Sequence, residues 1–274
     1  MELKLQNGEP LLEFRLAYLR AIARSWQSEA YRDKLVDLND IQPELVKEFG
    51  LRTVWPNLNI ALFRSDIPAK QTQWKPELTA GWIGLDDQFH IVLPQAPAEA
   101  EASEALARFY QIYPDFMGPV ASVSMSKEHQ APVTNDLEHG HAMVGAALPT
   151  GLGIPGGGPD SLLAFGGVVL RAIALAWTEP QFKAELLHPA GGDAAAVLSQ
   201  WLGYNNPFNF QIHFVDSPAL TWTDGKWNLR NPETGELIKN KIVLNYPNAP
   251  TPANLQPIAL TSYNNTGEAY PFTC

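Results

Sequence analysis

The side chain with the greatest chemical reach in this chain is its last, Cys274, the only cysteine among 274 residues. A thiol becomes a strong nucleophile when it ionises. The hydroxyls of Thr261, Ser262, Thr266 and Thr273 lie close before it. Such side chains serve as substrates for modifying enzymes as readily as they serve as catalysts. Catalysis by Cys274 itself is disfavoured, because no residue follows it to fix its backbone beside an oxyanion hole. One cysteine also excludes an internal disulfide and a multi-cysteine metal site, and suits a reducing compartment.

Other constellations carry less. Glu138-His139-Gly140-His141, with His129 nearby, places two imidazoles two residues apart across a glycine. A structural zinc wants four ligands and an ordered second shell, so this reads as a solvated connection. Gly151-Leu152-Gly153-Ile154-Pro155-Gly156 has dinucleotide-loop spacing, but no strand precedes it, Pro155 removes an amide, and Arg171 stands where an acid is wanted. Asp86-Asp87 and the Glu99/Glu101 pair read as solvated carboxylates. His90 and His213 read as strand residues, and Asn264-Asn265-Thr266 as a chance glycosylation pattern. No metal and no cofactor is expected.

The elements that would hold these groups come as a repeat. Leu19-Arg20-Ala21-Ile22-Ala23-Arg24-Ser25-Trp26 returns 151 residues later as Leu170-Arg171-Ala172-Ile173-Ala174-Leu175-Ala176-Trp177, with six of eight positions identical. A duplication fixes architecture before any other reading. In the first copy, apolar residues from Leu12 to Tyr31 recur at spacings of three and four, predicting a helix or two with a break near Gln27-Ser28. Pro43 to Phe49 predicts another, with Gly50 as its left-handed cap. Leu58, Ile60 and Leu62 alternate as a half-buried strand, and Phe89 to Leu93 reads as its partner. Pro94-Gln95-Ala96-Pro97 ends it.

The second copy follows suit. A helix is expected from about Leu162 to Leu187, a helix end at Leu202-Gly203, and a strand through Phe208, Phe210, Ile212 and Phe214. Ile242-Val243-Leu244 repeats Ile91-Val92-Leu93, and Pro247-Asn248-Ala249-Pro250 answers the earlier proline stop. Asp224-Gly225 between Trp222 and Trp227 is a hairpin signal. Ala98 to Tyr113 predicts a helix packing on the first copy. The fold class is therefore α+β: two tandem helix-helix-β modules, a long Gly/Pro linker and a flexible C-terminal tail. The expected boundaries are 1–115, 116–160, 161–250 and 251–274, with each module burying its sheet face against the other.

A net charge of −10 repels phosphate backbones and anionic lipid, so no nucleic-acid or membrane partner is expected. No apolar run is long enough to span a bilayer and no secretion signal is visible, which makes a cytoplasmic protein the expectation.

Leu19–Leu35, Glu48-Phe49-Gly50-Leu51, Pro56 and Ile91-Val92-Leu93-Pro94 resemble the leader region related to the nitrile hydratase α subunit. Leu170–Leu187, Leu202-Gly203, Pro207 and Ile242-Val243-Leu244 carry the same pattern. The cysteine cluster that binds metal in nitrile hydratases is missing, so the resemblance does not extend to hydratase activity. It implies instead a long, duplicated precursor of the thiazole/oxazole-modified microcin type, a ribosomally made and post-translationally modified peptide with bacteriocin-type products. Such a chain is a substrate and not an enzyme. Trp26, Tyr31, Trp177, Phe182, Ile91, Val92, Leu93, Ile242, Val243 and Leu244 would build the recognition modules. The partner would be a cyclodehydratase or an iron-dependent oxidase acting on Cys274, Thr273, Thr266, Ser262 or Thr261, with export of the product and with homo- or hetero-dimers with a paralogue as further expectations. The tail holds few cyclisable residues and no Gly-Gly cleavage site directly before it. The alternatives are an inactive nitrile-hydratase-related scaffold or binding subunit, and an active metal-dependent hydratase.

Overall fold

The computed structural model describes residues 10–77, 81–109, 112, 159–208 and 210–264. Helix α1 (Pro10–Gln27) stops at Ser28, whose hydroxyl accepts the Tyr31 amide and starts α2 (Glu29–Val36). This is the break expected there. Helix α3 (Gln42–Phe49) ends on Gly50 at φ 70°, and its counterpart α7 (Ala195–Leu202) ends on Gly203 at φ 66°. Both glycines occupy the left-handed region where a Cβ is costly. The long second-copy helix divides as the first does, into α5 (Pro159–Thr178) and α6 (Pro180–Leu187), with Pro180 in the first turn of the latter.

Four strands form the main sheet: β1 (Leu58–Phe63), β4 (Gln88–Pro94), β5 (Gln211–Ser217) and β8 (Asn240–Asn245). Two small hairpins flank it, β2 (Gln73–Trp74) with β3 (Trp82–Ile83), and β6 (Trp222–Thr223) with β7 (Lys226–Trp227). The second turns on Asp224 at φ 52° and Gly225 at φ 71°, as its Asp-Gly pair predicts.

The sheet order is β1-β8-β4-β5. β1 runs parallel to β8, β8 antiparallel to β4, and β4 parallel to β5. Every pairing thus joins a strand of one module to a strand of the other. This corrects the expected pairing of Leu58–Leu62 with Phe89–Leu93: β8 lies between them. A strand's alternation states which face is buried and not which neighbour it takes, and a second copy offers the same apolar face in register.

Ile60, Ile242, Phe89 and Ile212 form one buried row across all four strands. Asn59, Lys241, His90 and His213 form the half-buried row on the opposite face. The core on the first face gathers Phe14, Tyr18 and Ile22 of α1 with Phe165, Val169 and Ile173 of α5. Each such side chain contributes roughly 1.5–3 kcal/mol of burial.

The chain beyond β4 and β8 also repeats. After β4 comes α4 (Ala102–Ala107), and after β8 comes α8 (Gln256–Asn264). Residues 256–264 fall in the expected flexible tail, and this part of it is folded. Ala259 and Tyr263 of α8 are buried, as are Ala105 and Phe109 after β4. Helix α4 also departs from expectation by packing on the second module: the Trp227 indole donates to the Ala105 carbonyl at 2.9 Å and the Phe109 ring meets Trp227 edge-on. Helix α8 packs on the first module in the same way, with Trp82 Nε1 donating to the Ala259 carbonyl at 3.0 Å and Tyr263 edge-on to Trp82.

Candidate functional site

Of the recognition residues expected from the sequence, seven are buried, and Trp26, Trp177 and Val243 are half-buried. Trp26 Nε1 donates to the Pro247 carbonyl at 2.7 Å, and Trp177 Nε1 to the Pro94 carbonyl at 3.1 Å. The tryptophan near the end of each module's long first helix therefore holds the strand end of the other module. The Tyr31 ring is buried edge-on to Phe49, with the Arg24 guanidinium 4.4 Å from its centre. Burial, then the nearby Glu44 carboxylate, pushes its phenol up to about 12. Phe182 is buried edge-on to Trp201. Ile91, Val92, Leu93, Ile242 and Leu244 are buried within the sheet and Val243 is half-buried. These side chains help to build the folded body, and parts of Trp26, Trp177 and Val243 remain at its surface.

The two strand ends are closed by matching side chains. Asn240 Oδ1 accepts the Val92 amide at 2.9 Å, and Asp87 Oδ1 accepts the Asn245 amide at 2.7 Å. Asp87 is buried, not solvated, which corrects the expectation for Asp86-Asp87. Loss of water pushes its carboxyl up to about 7 against the lowering effect of the Asn245 hydrogen bonds, with Asp86 adding to the rise. No spacing rule marks this position. The signal was its alignment with Asn240, which the proline stops at Pro94 and Pro247 reveal.

The outer strands are closed too. Ile41 N donates to the Ile60 carbonyl at 2.7 Å while Asp40 Oδ1 accepts the Ile60 amide at 3.4 Å. In the second module Ala194 N donates to the Ile212 carbonyl at 2.8 Å while Asp193 Oδ1 accepts the Ile212 amide at 2.9 Å. Gln42 Nε2 takes the Leu58 carbonyl and Asn206 Nδ2 the Phe210 carbonyl. An incoming strand would find these central edge groups already used.

The modification candidates separate. Thr261 is exposed on α8, but its hydroxyl donates to the Pro257 carbonyl one turn back, at 2.9 Å. Ser262 is half-buried against Gly81, where a Cβ would stand 2.6 Å from Ser262 Oγ and 2.7 Å from Trp74 Nε1. Both hydroxyls thus sit in regular helix. Thr266, Thr273 and Cys274 lie outside the described residues, as do His129, Glu138–His141 and Gly151–Gly156. Chain exit from α8 is beside α1: Arg15 Nη2 donates to the Asn264 carbonyl at 3.5 Å, and the Tyr18 and Tyr263 hydroxyls lie 2.9 Å apart. Leu12 and Leu16, within one turn of Arg15 on α1, are 41% and 48% exposed.

His90 and His213 stack with ring centres 4.7 Å apart. Burial, then the neighbouring His213, lowers the His90 pKa. Among the described residues there is no group of three or more His, Cys, Asp or Glu able to hold a metal ion, and no helix long and apolar enough to cross a membrane.

A family model described as "Ribosomal natural product, two-chain TOMM family" matches residues 9–117 and, a second time, residues 160–271. The two matches coincide with the two structural copies, extend through α4 and α8, and cover most of the chain. No curated protein and no solved structure matches it.

Proposed function

The chain belongs to the ribosomal natural product, two-chain TOMM family, and from that premise we propose that it is a precursor whose folded body is read by a modifying enzyme that acts on the C-terminal tail, at Cys274. The observation that carries this reading is the twofold family match, which encloses the folded body and ends at residue 271, just short of Thr273 and Cys274. The nitrile-hydratase-leader relationship of the modules and a bacteriocin-type product are part of the same proposal.

The chemistry is a condensation. Cys274 Sγ attacks the carbonyl carbon of Thr273, forming an S–C bond. The carbonyl oxygen leaves as water with the thiol proton and the Cys274 amide proton, and a C=N bond closes the azoline ring. A cyclodehydratase supplies the activation of that oxygen; an iron-dependent oxidase is the alternative enzyme. Tethering the tail to a docked body raises its effective concentration at the enzyme to about the millimolar range.

Docking by strand addition is disfavoured, since Asp40, Gln42, Asp193 and Asn206 occupy the strand edges. The helix surface at the tail exit is better suited. Leu12 and Leu16 are exposed there beside Arg15, which ties α1 to the last described residue of α8. Thr261 and Ser262 are the least suited targets, because a ring closed within α8 would break the helix.

The test is the intact mass of the chain isolated from cells that carry the genes beside its own. A loss equal to one water, mapped to Thr273-Cys274 and abolished by Cys274→Ala, is expected for the cyclodehydratase. An unchanged mass beside active neighbouring enzymes overturns the precursor reading, and bound cobalt or iron together with nitrile hydration would establish the hydratase instead.

A further inference from the structure

The two modules stand in a relation that a fused pair of independent domains would not require. All three pairings of the main sheet cross between them. Trp26 and Trp177 each tie down the other module's strand end. Helices α4 and α8 are likewise exchanged, each receiving an indole hydrogen bond from a hairpin of the other module. Asp87 and Asn240 close each other's strands. A module removed from its partner would lose every neighbour of both its strands and the cover of its hairpin.

We propose that each module is an incomplete fold whose specific partner is the other module, so that the single chain holds a two-part complex that stays assembled when the connection between the parts is cut.

Specificity follows from the centre of the sheet. Phe89 stands opposite Ile242 in the antiparallel pair, and the positions correspond in the two copies by the alignment of Pro94 with Pro247. Phe89 packs its ring against Phe165 and Phe210, each 5.9 Å away. Pairing the first module with itself would set Phe89 against Phe89 and bury the Asp87 carboxyl twice at the junction. Pairing the second with itself would set Ile242 against Ile242 and leave a gap where the Phe89 ring belongs. Overfilling and underfilling both disfavour like pairs, so the mixed pair is selected.

Residues 118–158 lie outside both family matches and contain Lys127, the only lysine or arginine between Arg108 and Arg171. The test inserts a specific protease site into that interval of the full-length chain and cuts it. The fragments are expected to co-elute at the size of the uncut chain with an unchanged circular dichroism spectrum. After denaturation and remixing, native mass spectrometry should return the mixed pair in about tenfold or greater excess over like pairs. Fragments that part as folded monomers, or like pairs that form as readily as mixed ones, overturn the proposal. Should the insertion impair folding, brief trypsin treatment of the unaltered chain, with the Lys127 product isolated, gives the same readout. This inference rests on the fold alone, and its failure would leave the precursor reading intact.

Discussion

The Trp26 indole nitrogen lies 2.7 Å from the carbonyl oxygen of Pro247, a residue 221 positions away in the other module. Its counterpart, Trp177 to Pro94, spans 83 positions. The two bonds sit at matching corners of the sheet, so the helix that identifies each copy in the sequence is fastened to the other copy's strand. Replacing Trp26 with Phe is expected to cost about 1 kcal/mol for the lost hydrogen bond, plus the unmet Pro247 carbonyl. Trp177→Phe should cost a similar amount. Thermal unfolding of the full chain measures both, and a Trp26→Phe variant as stable as the parent would show that the bond contributes nothing.

Asp87 predicts a pH dependence with a definite sign. Its folded pKa of about 7 lies above the ordinary value of 3.8, so folding favours the neutral acid. Stability from this group is full below about pH 4, falls as pH rises toward 7, and stays low above it, by an amount on the order of 4 kcal/mol. Asp87→Asn, which copies Asn240 at the matching site, should remove the slope and stabilise the chain at pH 8. Urea unfolding at pH 5 and pH 8 decides this; equal slopes in both proteins would contradict the buried-carboxyl account.

How much of this was legible varies with the range of the interaction. The break at Ser28, the caps at Gly50 and Gly203 and the Asp224-Gly225 hairpin are set by neighbouring residues, and each was readable. Strand order was not, because Phe89 can meet Ile242 or Ile60 with the same face buried. The repeat itself also misled: identity aligns Ile91-Val92-Leu93 with Ile242-Val243-Leu244, whereas the hydrogen bonds to Pro94 and Pro247 place Ile242 in the role of Phe89. The two alignments differ by two residues, which leaves the buried face unchanged and hides the shift. Helix α8 was readable in principle, since Ala259 and Tyr263 repeat the four-residue spacing of Ala105 and Phe109. Its prolines and polar residues masked it.

Gly81 tests the packing of α8 on the first module. Its φ is 73°, and a Cβ there would meet Ser262 Oγ at 2.6 Å. Gly50 has a similar φ with open space around it. Gly50→Ala should therefore cost about 1 kcal/mol from backbone strain alone, while Gly81→Ala should cost more and should speed hydrogen exchange across residues 256–264. Equal effects at both glycines would mean that α8 does not press on the hairpin.

Asp40 and Asp193 guard the outer strands. Asp40→Ala and Asp193→Ala should each lower stability by about 1 kcal/mol through loss of turn and edge hydrogen bonds. The freed Ile60 and Ile212 amides should raise concentration-dependent association, seen by light scattering. Variants that remain as monodisperse as the parent would show that the edges are protected by other means.

The proposed role of the folded body in presenting the tail is tested most directly by comparing the full-length chain with a synthetic peptide of residues 265–274 as substrates of the same purified modifying enzyme. Modification of the full chain is expected to be at least about a hundredfold faster at equal micromolar concentration, because docking replaces a bimolecular encounter with a tethered one. Leu12→Ser combined with Leu16→Ser is expected to narrow that gap without lowering the melting temperature. Equal rates for chain and peptide would contradict this role, since the body would then have no part in the reaction.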